Sequence, residues 1–389
     1  MTGYDVIVIG GGPGGAAAAT LVAQRGHRTL LLERTAEPKF KIGESLMPAT
    51  WSTLERMGMI PKLKESHFPR KYSVQFFGKT GKASAPFYFQ ETDPHESSVT
   101  WQVLRSEFDA LLLDNAREHG AEVRRGAGVK DVLFEAHQGV NRAVGVKLDD
   151  GSTLSCKVVV DATGRSAFLG RKLGLIRPDP ELRKASLFTH YEGALRDPGI
   201  DEGATLVLHT DDASGWFWYI PLPEDRVSVG VVGSIEQLVS NRKGDPQAVF
   251  DEEVERCAEV RRRIAGARQT MPVQVLRDFS YRSSRIAGDG WVLVGDAFGF
   301  LDPIYSSGVF LALKSGELAA DSIHAALEAG DPSAARLGAF GPEFLAGMEA
   351  MRKLVYAFYE PDFSFSKFLA QFPGCRSDLI HLLVGNVFR

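Results

Sequence analysis

Gly10-Gly11-Gly12-Pro13-Gly14-Gly15 is the first segment of this 389-residue chain in which residue types and spacing imply chemistry. It follows a Val- and Ile-rich run, Tyr4–Ile9, and opens an alanine-rich segment, the strand–turn–helix context in which such a loop holds a dinucleotide. In that reading Gly10 allows the tight turn, and Gly12 lets the backbone approach a pyrophosphate at the positive end of the helix. Gly15 lets the helix pack close to the strand. Glu33 stands at the end of the next strand pattern, about 20 residues on, where an acid binds ribose hydroxyls. A glycine-rich turn with an incidental acid is the alternative, and it leaves the order of the whole unit unexplained.

Other residues stand out by type. Lys71 offers an amine, although a lysine in an Arg-Lys pair is ordinarily a solvated surface charge. In Trp216-Phe217-Trp218-Tyr219-Ile220-Pro221, alternation puts Trp216, Trp218 and Ile220 on one face, which is also how a buried strand looks. Asp302-Pro303-Ile304-Tyr305-Ser306-Ser307-Gly308-Val309 directly precedes a helical pattern, and backbone amides at a helix start suit an anion. An ordinary serine cap has the same geometry.

The elements that must position these groups follow from pattern. A helix is predicted over 16–25, stopping at Gly26, and a strand over 29–32. Ser106 with Asp109 three residues on resembles a capping box, opening a helix to about His119, with Gly120 as its stop. Short strands fill 129–160, with Asp149-Asp150-Gly151 as a hairpin turn. Strand-like runs at 185–191, Thr205–His209, Trp216–Pro221 and 227–232 predict a largely antiparallel sheet inserted between two halves of a nucleotide-binding domain. A buried strand returns at 291–294, helices are predicted over 309–327 and 336–359, and the tail from Pro361 reads as short helices. Val158-Val159-Val160 runs into Asp161-Ala162-Thr163-Gly164-Arg165, and the later buried strand runs into Gly295-Asp296-Ala297.

In this order, these motifs resemble the fingerprints of the FAD-dependent hydroxylase superfamily with the p-hydroxybenzoate hydroxylase-like fold. The resemblance implies FAD as cofactor, with Asp296 at the ribityl chain beside Gly295. Asp161 and Gly164 would border the nucleotide half, and Arg105 would contact FAD ahead of the long helix. No second Gly-x-Gly-x-x-Gly unit is present, so no Rossmann-type nicotinamide site is expected.

Further segments resemble flavin-dependent halogenases, which use FADH2, O2 and halide to make hypohalous acid at the flavin. Trp216 to Pro221 matches their W-x-W-x-I-P motif, which lies near the flavin and discourages direct attack of its hydroperoxide on the organic substrate. Trp216 and Trp218 are therefore grouped with the catalytic residues. Asp302 to Val309 is similar to the D-P-x-F-S-S-G-V segment of halogenases of phenols, pyrroles or carrier-bound aromatics, with Tyr305 replacing Phe. By resemblance Ser306 is catalytic, Asp302 and Pro303 adjoin the flavin, and the Ser307 and Gly308 amides contact chloride or bromide. Tryptophan halogenases carry Glu where Tyr305 stands, which argues against the tryptophan subgroup. Phe68-Pro69-Arg70-Lys71-Tyr72 resembles the segment bearing the family's active-site lysine, identifying Lys71, which would hydrogen-bond hypohalous acid or carry halogen as a haloamine. Gly43-Glu44-Ser45-Leu46, with Pro48, resembles the loop beside the flavin and adds Glu44 and Ser45 to the cofactor set.

The implied enzyme halogenates an electron-rich aromatic of phenol, pyrrole or indole type, free or presented on a carrier protein, with a flavin reductase supplying FADH2. The alternative is an FAD-dependent monooxygenase or oxidoreductase on the same fold without halide chemistry. A flavin-binding module without turnover is a third reading. W-x-W-x-I-P with Lys71 favours the first. Carrier-type relatives usually have a longer C-terminal region over the active site, whereas this chain ends soon after Phe363-Ser364-Phe365-Ser366-Lys367-Phe368. That predicts either a more open cleft or loss of halogenation.

The expected fold class is α/β: a discontinuous FAD-binding domain (1–75, 100–180, 275–330), a β-sheet substrate domain (76–99, 181–274) and C-terminal helices (331–389). A net charge of -4 gives no reason to expect nucleic acid or an acidic membrane as partner. The three cysteines, Cys156, Cys257 and Cys375, form no metal or disulfide pattern, in keeping with a cytoplasmic protein that needs no metal. No apolar run approaches the ~20 residues of a membrane span, and no signal peptide is read at the start.

Overall fold

The computed structural model describes residues 3–388 apart from 38, 138, 242–243, 278–279 and 361–362. In chain order the elements that matter are β1 (Tyr4–Ile9), α1 (Pro13–Ala23), β2 (Thr29–Glu33), β3 (Ser73–Phe77), α2 (Arg105–Glu118), β4 (Glu122–Arg125), β5 (Thr153–Asp161), β6 (Lys184–Glu192), β7 (Thr205–His209), β8 (Trp216–Pro221), β9 (Arg226–Ser234), β10 (Trp291–Leu293), α3 (Ser307–Glu328) and α4 (Gly341–Tyr359).

Strand β1 is buried at every position except Asp5, as a central parallel strand covered on both faces must be. The parallel sheet runs β10–β5–β1–β2–β4, with Ala287–Gly288 antiparallel at its edge. Strand β5 does double duty. Its first residues pair with the hairpin Val129–His137/Val140–Leu148, and its last pair with β1. The Asp149-Asp150-Gly151 turn lies where the sequence puts it, Gly151 taking φ +88°.

A second sheet carries β6–β9–β8–β7–β3, antiparallel except where β3 joins β7 in parallel. It also includes Gln274–Arg277 beside β6, so the expected domain borders at 75/76 and 274/275 each run through a strand of this sheet. Alternation along β8 divides its side chains. Trp216, Trp218 and Ile220 join the main core, while Phe217 and Tyr219 join a second core that also holds Phe250 and Val260 of the helices Pro246–Glu255 and Ala258–Ile264.

Three local readings are corrected. Helix α1 begins at Pro13, one turn before the expected 16, because proline fits the first helical turn, where its missing N–H is no loss. The capping box at Ser106 is absent: α2 begins at Arg105 after an extended Leu104, with no side-chain cap. Asp109 instead accepts from Arg105 Nε at 2.9 Å and Lys41 Nζ at 3.1 Å. The single helix over 336–359 is two, Ala334–Leu337 and α4, separated at Gly338, with Pro342 restarting the second. The tail does form short helices, Phe365–Gln371 and Arg376–Val384, Pro361 itself lying outside the described residues.

Helix α1 is buried from Pro13 to Val22, and it achieves this with small residues against α3. A Cβ on Gly316 would stand 2.4 Å from the Gly14 carbonyl oxygen, and one on Gly14 2.9 Å from that of Ala312. Gly316→Val should therefore push the two helices apart, cost at least about 1–3 kcal/mol of stability and lower the thermal midpoint of the apoprotein. An unchanged midpoint would show that this contact does not fix the helix pair.

Candidate active site

A cavity of about 540 Å³ opens at the C-terminal ends of the parallel strands, where ligands of open α/β sheets bind. Its floor is the glycine turn. Gly10 takes φ +107°, and a Cβ there would lie 2.4 Å from the Ala162 carbonyl oxygen; one on Gly15 would lie 2.0 Å from that of Gly10. Gly12 differs: its φ is -78°, and a Cβ built on it meets nothing within 4 Å. Gly10 and Gly15 are thus glycines because protein backbone crowds them. Gly12 has no such reason within the protein and borders the cavity with Pro13 and Gly14.

Glu33 lines the same end. Its carboxylate accepts the Gly11 amide at 2.8 Å and the Thr35 amide at 2.9 Å. Burial pushes its pKa up, but these bonds outweigh burial and hold it below the ordinary value. Asp161 lies behind the wall, fully buried, accepting the Thr163 and Leu169 amides at 3.0 and 2.7 Å. It shapes the turn whose Thr163, Gly164 and Arg165 reach the cavity. Gly295 and Asp296 line it from β10's end, and burial pushes the Asp296 carboxyl up to about 6 against the opposing pull of Arg105 and Arg165.

Arg105 donates from Nη1 to the Ile42 carbonyl at 2.6 Å and so braces the loop Gly43-Glu44-Ser45. Glu44 is buried, its Oε1 2.8 Å from His190 Nε2, while Oε2 has no hydrogen-bond partner among the described residues. Ser45 Oγ lies 2.9 Å from Thr205 Oγ1 and accepts from Lys71 Nζ at 2.9 Å. Lys71 sits on the short strand Arg70–Lys71, paired with Thr100–Trp101. It is only 4% exposed and donates also to the Leu46 carbonyl at 3.2 Å. Burial alone pushes its pKa down to about 7. The solvated surface charge that an Arg-Lys pair ordinarily means is not what the fold makes of it. Lys71 does not itself line the cavity; Ser45, which does, stands between.

The opposite wall is β8 and the start of α3. Trp216, Trp218 and Ile220 all face the cavity. Trp218 Nε1 donates to Ser228 Oγ at 3.1 Å, and its ring lies over its cross-strand partner Gly230, where a Cβ would come within 2.2 Å. Trp216 Nε1 donates to Tyr359 Oη at 3.0 Å. Pro303, Ser306 and Gly308 line the cavity, whereas Ser307 is buried and does not. Ser306 takes left-handed φ +58° at the α3 start without a side-chain cap bond, a conformation that costs a serine about 1–3 kcal/mol. Asp302 is buried behind this loop, accepting the Ile304 amide and Tyr359 Oη, both at 3.0 Å. Sequence reasoning missed His190, Gly230 and Tyr359. Only Gly230 carried a signal, since an isolated glycine inside a strand marks a close approach.

The profile of the family described as tryptophan halogenase matches residues 5–102 and 78–363. The chain belongs to that family. It is 30% identical over 406 residues to the 1H-pyrrole-2-carbonyl peptidyl-carrier-protein chlorinase of Pseudomonas fluorescens, covering 99% of this chain and 90% of that one. It is 33% identical over 388 residues to the corresponding brominase of Pseudoalteromonas luteoviolacea, covering 99% and 92%. The solved structure of the flavin-dependent brominase Bmp2 superposes with a TM-score of 0.88 at 30% identity, covering 100% of this chain and 95% of that one. The myxobacterial chondrochloren halogenase CndH gives 0.84 at 32%, covering 98% and 96%.

This halogenase therefore has the expected FAD-binding fold, uses FAD with halide as co-substrate, and depends on a flavin reductase for reduced flavin. The chain covers 90–96% of the lengths of these relatives. No helix of the described residues is long and apolar enough to cross a membrane.

The two kinds of glycine separate in one experiment. Gly12→Val should fold with a near-normal thermal midpoint yet purify without FAD. Gly15→Ala should lower the midpoint itself. A Gly12→Val protein with full flavin absorbance would show that the cofactor does not approach this backbone.

Proposed function

We propose that this halogenase transfers halogen to a small electron-rich aromatic through the Lys71 amine, with a pyrrole carried by a carrier protein as the favoured substrate class and a free phenol or indole as the alternative. The observation that carries the reading is a lysine almost wholly buried, hydrogen-bonded to a serine of the cavity loop and stripped of much of its charge near neutral pH. The two carrier-protein relatives, matched over nearly the whole chain, supply the substrate class.

The residues present fit FAD. The pocket has backbone room at Gly12, a helix start to face a pyrophosphate, Glu33 for ribose hydroxyls, and Asp296 with Arg105 and Arg165 further along the same wall. Gly10, Pro13, Gly14, Gly15, Glu44, Ser45, Gly164, Gly295 and Pro303 complete the holding set, with Asp161 and Asp302 supporting it from behind. Bound FAD, supplied reduced, would donate the two electrons that activate O2, so that one oxygen atom leaves as water and the other oxidises halide to hypohalous acid. The Ser307 and Gly308 amides at the start of α3 would hold the halide, with Ser306 beside them. Trp216 and Trp218 form a rigid apolar wall that keeps the organic substrate from the oxidant's source.

Lys71 then acts as carrier. Its neutral amine attacks the halogen of hypohalous acid, forming an N–X bond with loss of water. The aromatic carbon next takes the halogen and yields its proton, restoring the amine. A neutral amine is the nucleophile this needs, and burial provides it at a pH where an exposed lysine would be almost fully protonated. The three unpaired cysteines fit a reducing compartment, and we place the protein in the cytoplasm.

Lys71→Ala should lower halogenated product by at least ~100-fold while O2 still oxidises the reduced flavin at a near-normal rate; product retained in full would remove Lys71 from the mechanism. The sign of the pH dependence is set by the lowered pKa. Transfer through the amine should strengthen as pH rises through about 7. A rate that falls over that range would instead assign Lys71 the role of an ammonium donor. Pyrrolyl carrier protein and a free activated phenol, assayed side by side with bromide and a flavin reductase, decide the substrate class.

A further inference from the structure

Behind the cavity wall, three side chains from distant parts of the chain are joined end to end. Trp216 of β8 presents its ring to the cavity and turns its Nε1–H away, donating to Tyr359 Oη at 3.0 Å. Tyr359, the last residue of α4, donates in turn to Asp302 Oδ2 at 3.0 Å. The other carboxylate oxygen of Asp302 accepts the Ile304 amide at 3.0 Å, within the loop that leads to Ser306 and the start of α3. Lys184 Nζ stands 3.9 Å from the centre of the Tyr359 ring, and the Phe358 ring meets Trp216 edge-on at 6.0 Å, so the phenol is held on several sides.

We propose that Tyr359 is a positioning residue whose one buried hydroxyl sets the Trp216 wall against the loop at the start of α3, and thereby the geometry in which halide is captured. This rests on reading that loop as the halide site. The two surfaces that must meet at the reacting atoms come from different sheets of sequence, 86 residues apart, and no direct hydrogen bond joins them among the described residues. The hydroxyl is the bridge: it accepts from the buried indole N–H and donates to the buried Asp302 carboxylate at once. Burial makes such a bridge costly to break, because the indole N–H would lose this acceptor and Asp302 Oδ2 this donor in a medium that does not readily replace them. When wall and loop drift apart, reduced flavin still meets O2, but halide is captured less often. Two electrons then leave as hydrogen peroxide (FADH2 + O2 → FAD + H2O2) rather than in product and two waters.

The test is Tyr359→Phe, which keeps the ring and its packing. The half-saturating bromide concentration should rise by about 10-fold, the size expected from unpairing one buried hydrogen-bonded group, with turnover at saturating bromide largely kept and more peroxide released per flavin oxidised. Independently of activity, 5-fluorotryptophan labelling of the five tryptophans gives fluorine lines, that of Trp216 being assigned by its loss in Trp216→Phe. In Tyr359→Phe the Trp216 line should shift or split while those of Trp51, Trp101 and Trp291 stay. An unmoved Trp216 line, or an unchanged bromide requirement in a variant that still halogenates, overturns the proposal. A wild type that halogenates no probe at any bromide concentration overturns the functional reading instead, and the fluorine line then decides whether Tyr359 holds Trp216.

Discussion

Everything in this molecule depends on how closely its backbone approaches itself around the first turn. Gly10 touches the Ala162 peptide, Gly15 touches Gly10, and Gly14 and Gly316 bring α1 onto α3. Those four contacts place the end of β1, the start of α1, the turn after β5 and the first turns of α3 around a single cavity. A side chain at any of them would force the cluster apart, and the residues that line the cavity would lose their common centre. Gly12 is the exception that gives the cluster its purpose, since its freedom is toward the cavity rather than toward protein.

Around that cavity several ionisable groups are buried, and burial and hydrogen bonding together decide what each does. Asp296 and Asp302 are both raised by desolvation, to about 6 and about 7, while Lys71 is lowered to about 7. Three groups that would be fully charged on the surface are brought into the range where a proton is easily gained or lost. Glu33 shows the opposite outcome: hydrogen bonds from the Gly11 and Thr35 amides outweigh burial and keep its carboxylate charged. Glu33 is thus held charged at one end of the pocket, while Asp296 in its lining, and Lys71 and Asp302 behind it, lie near their protonation midpoints.

The second sheet contributes rigidity. Alternation along β8 sends Phe217 and Tyr219 into one core and Trp216, Trp218 and Ile220 into the other, so the tryptophan wall is anchored from both sides. Trp218 is further pinned by lying across Gly230 and by its bond to Ser228. The W-x-W-x-I-P motif and an ordinary buried strand are the same object here. The motif is a buried strand whose inner face lines the cavity.

The nucleotide-binding half was legible in the chain because its demands are local. A turn that needs glycine, a strand buried on both faces and an acid at the next strand's end are set by residues within about 30 positions of each other, and the structure has them where the pattern puts them. The capping box at Ser106 misled because Asp109 had a stronger claim on it, an ion pair with Arg105 one turn away. Lys71 is the clearest case of what sequence alone leaves undecided. Its neighbours read as a surface Arg-Lys pair, and only the pairing of Arg70–Lys71 with Thr100–Trp101, and the arrival of the 43–46 loop over it, remove its water. The same is true of His190 beside Glu44 and of Tyr359 between Trp216 and Asp302. Sequence determined the elements and the cofactor grip, since those follow from periodicity and from backbone sterics over short spans. The protonation and partners of the side chains around the cavity were decided by tertiary structure alone, because desolvation and hydrogen bonding depend on which distant segments close over a group.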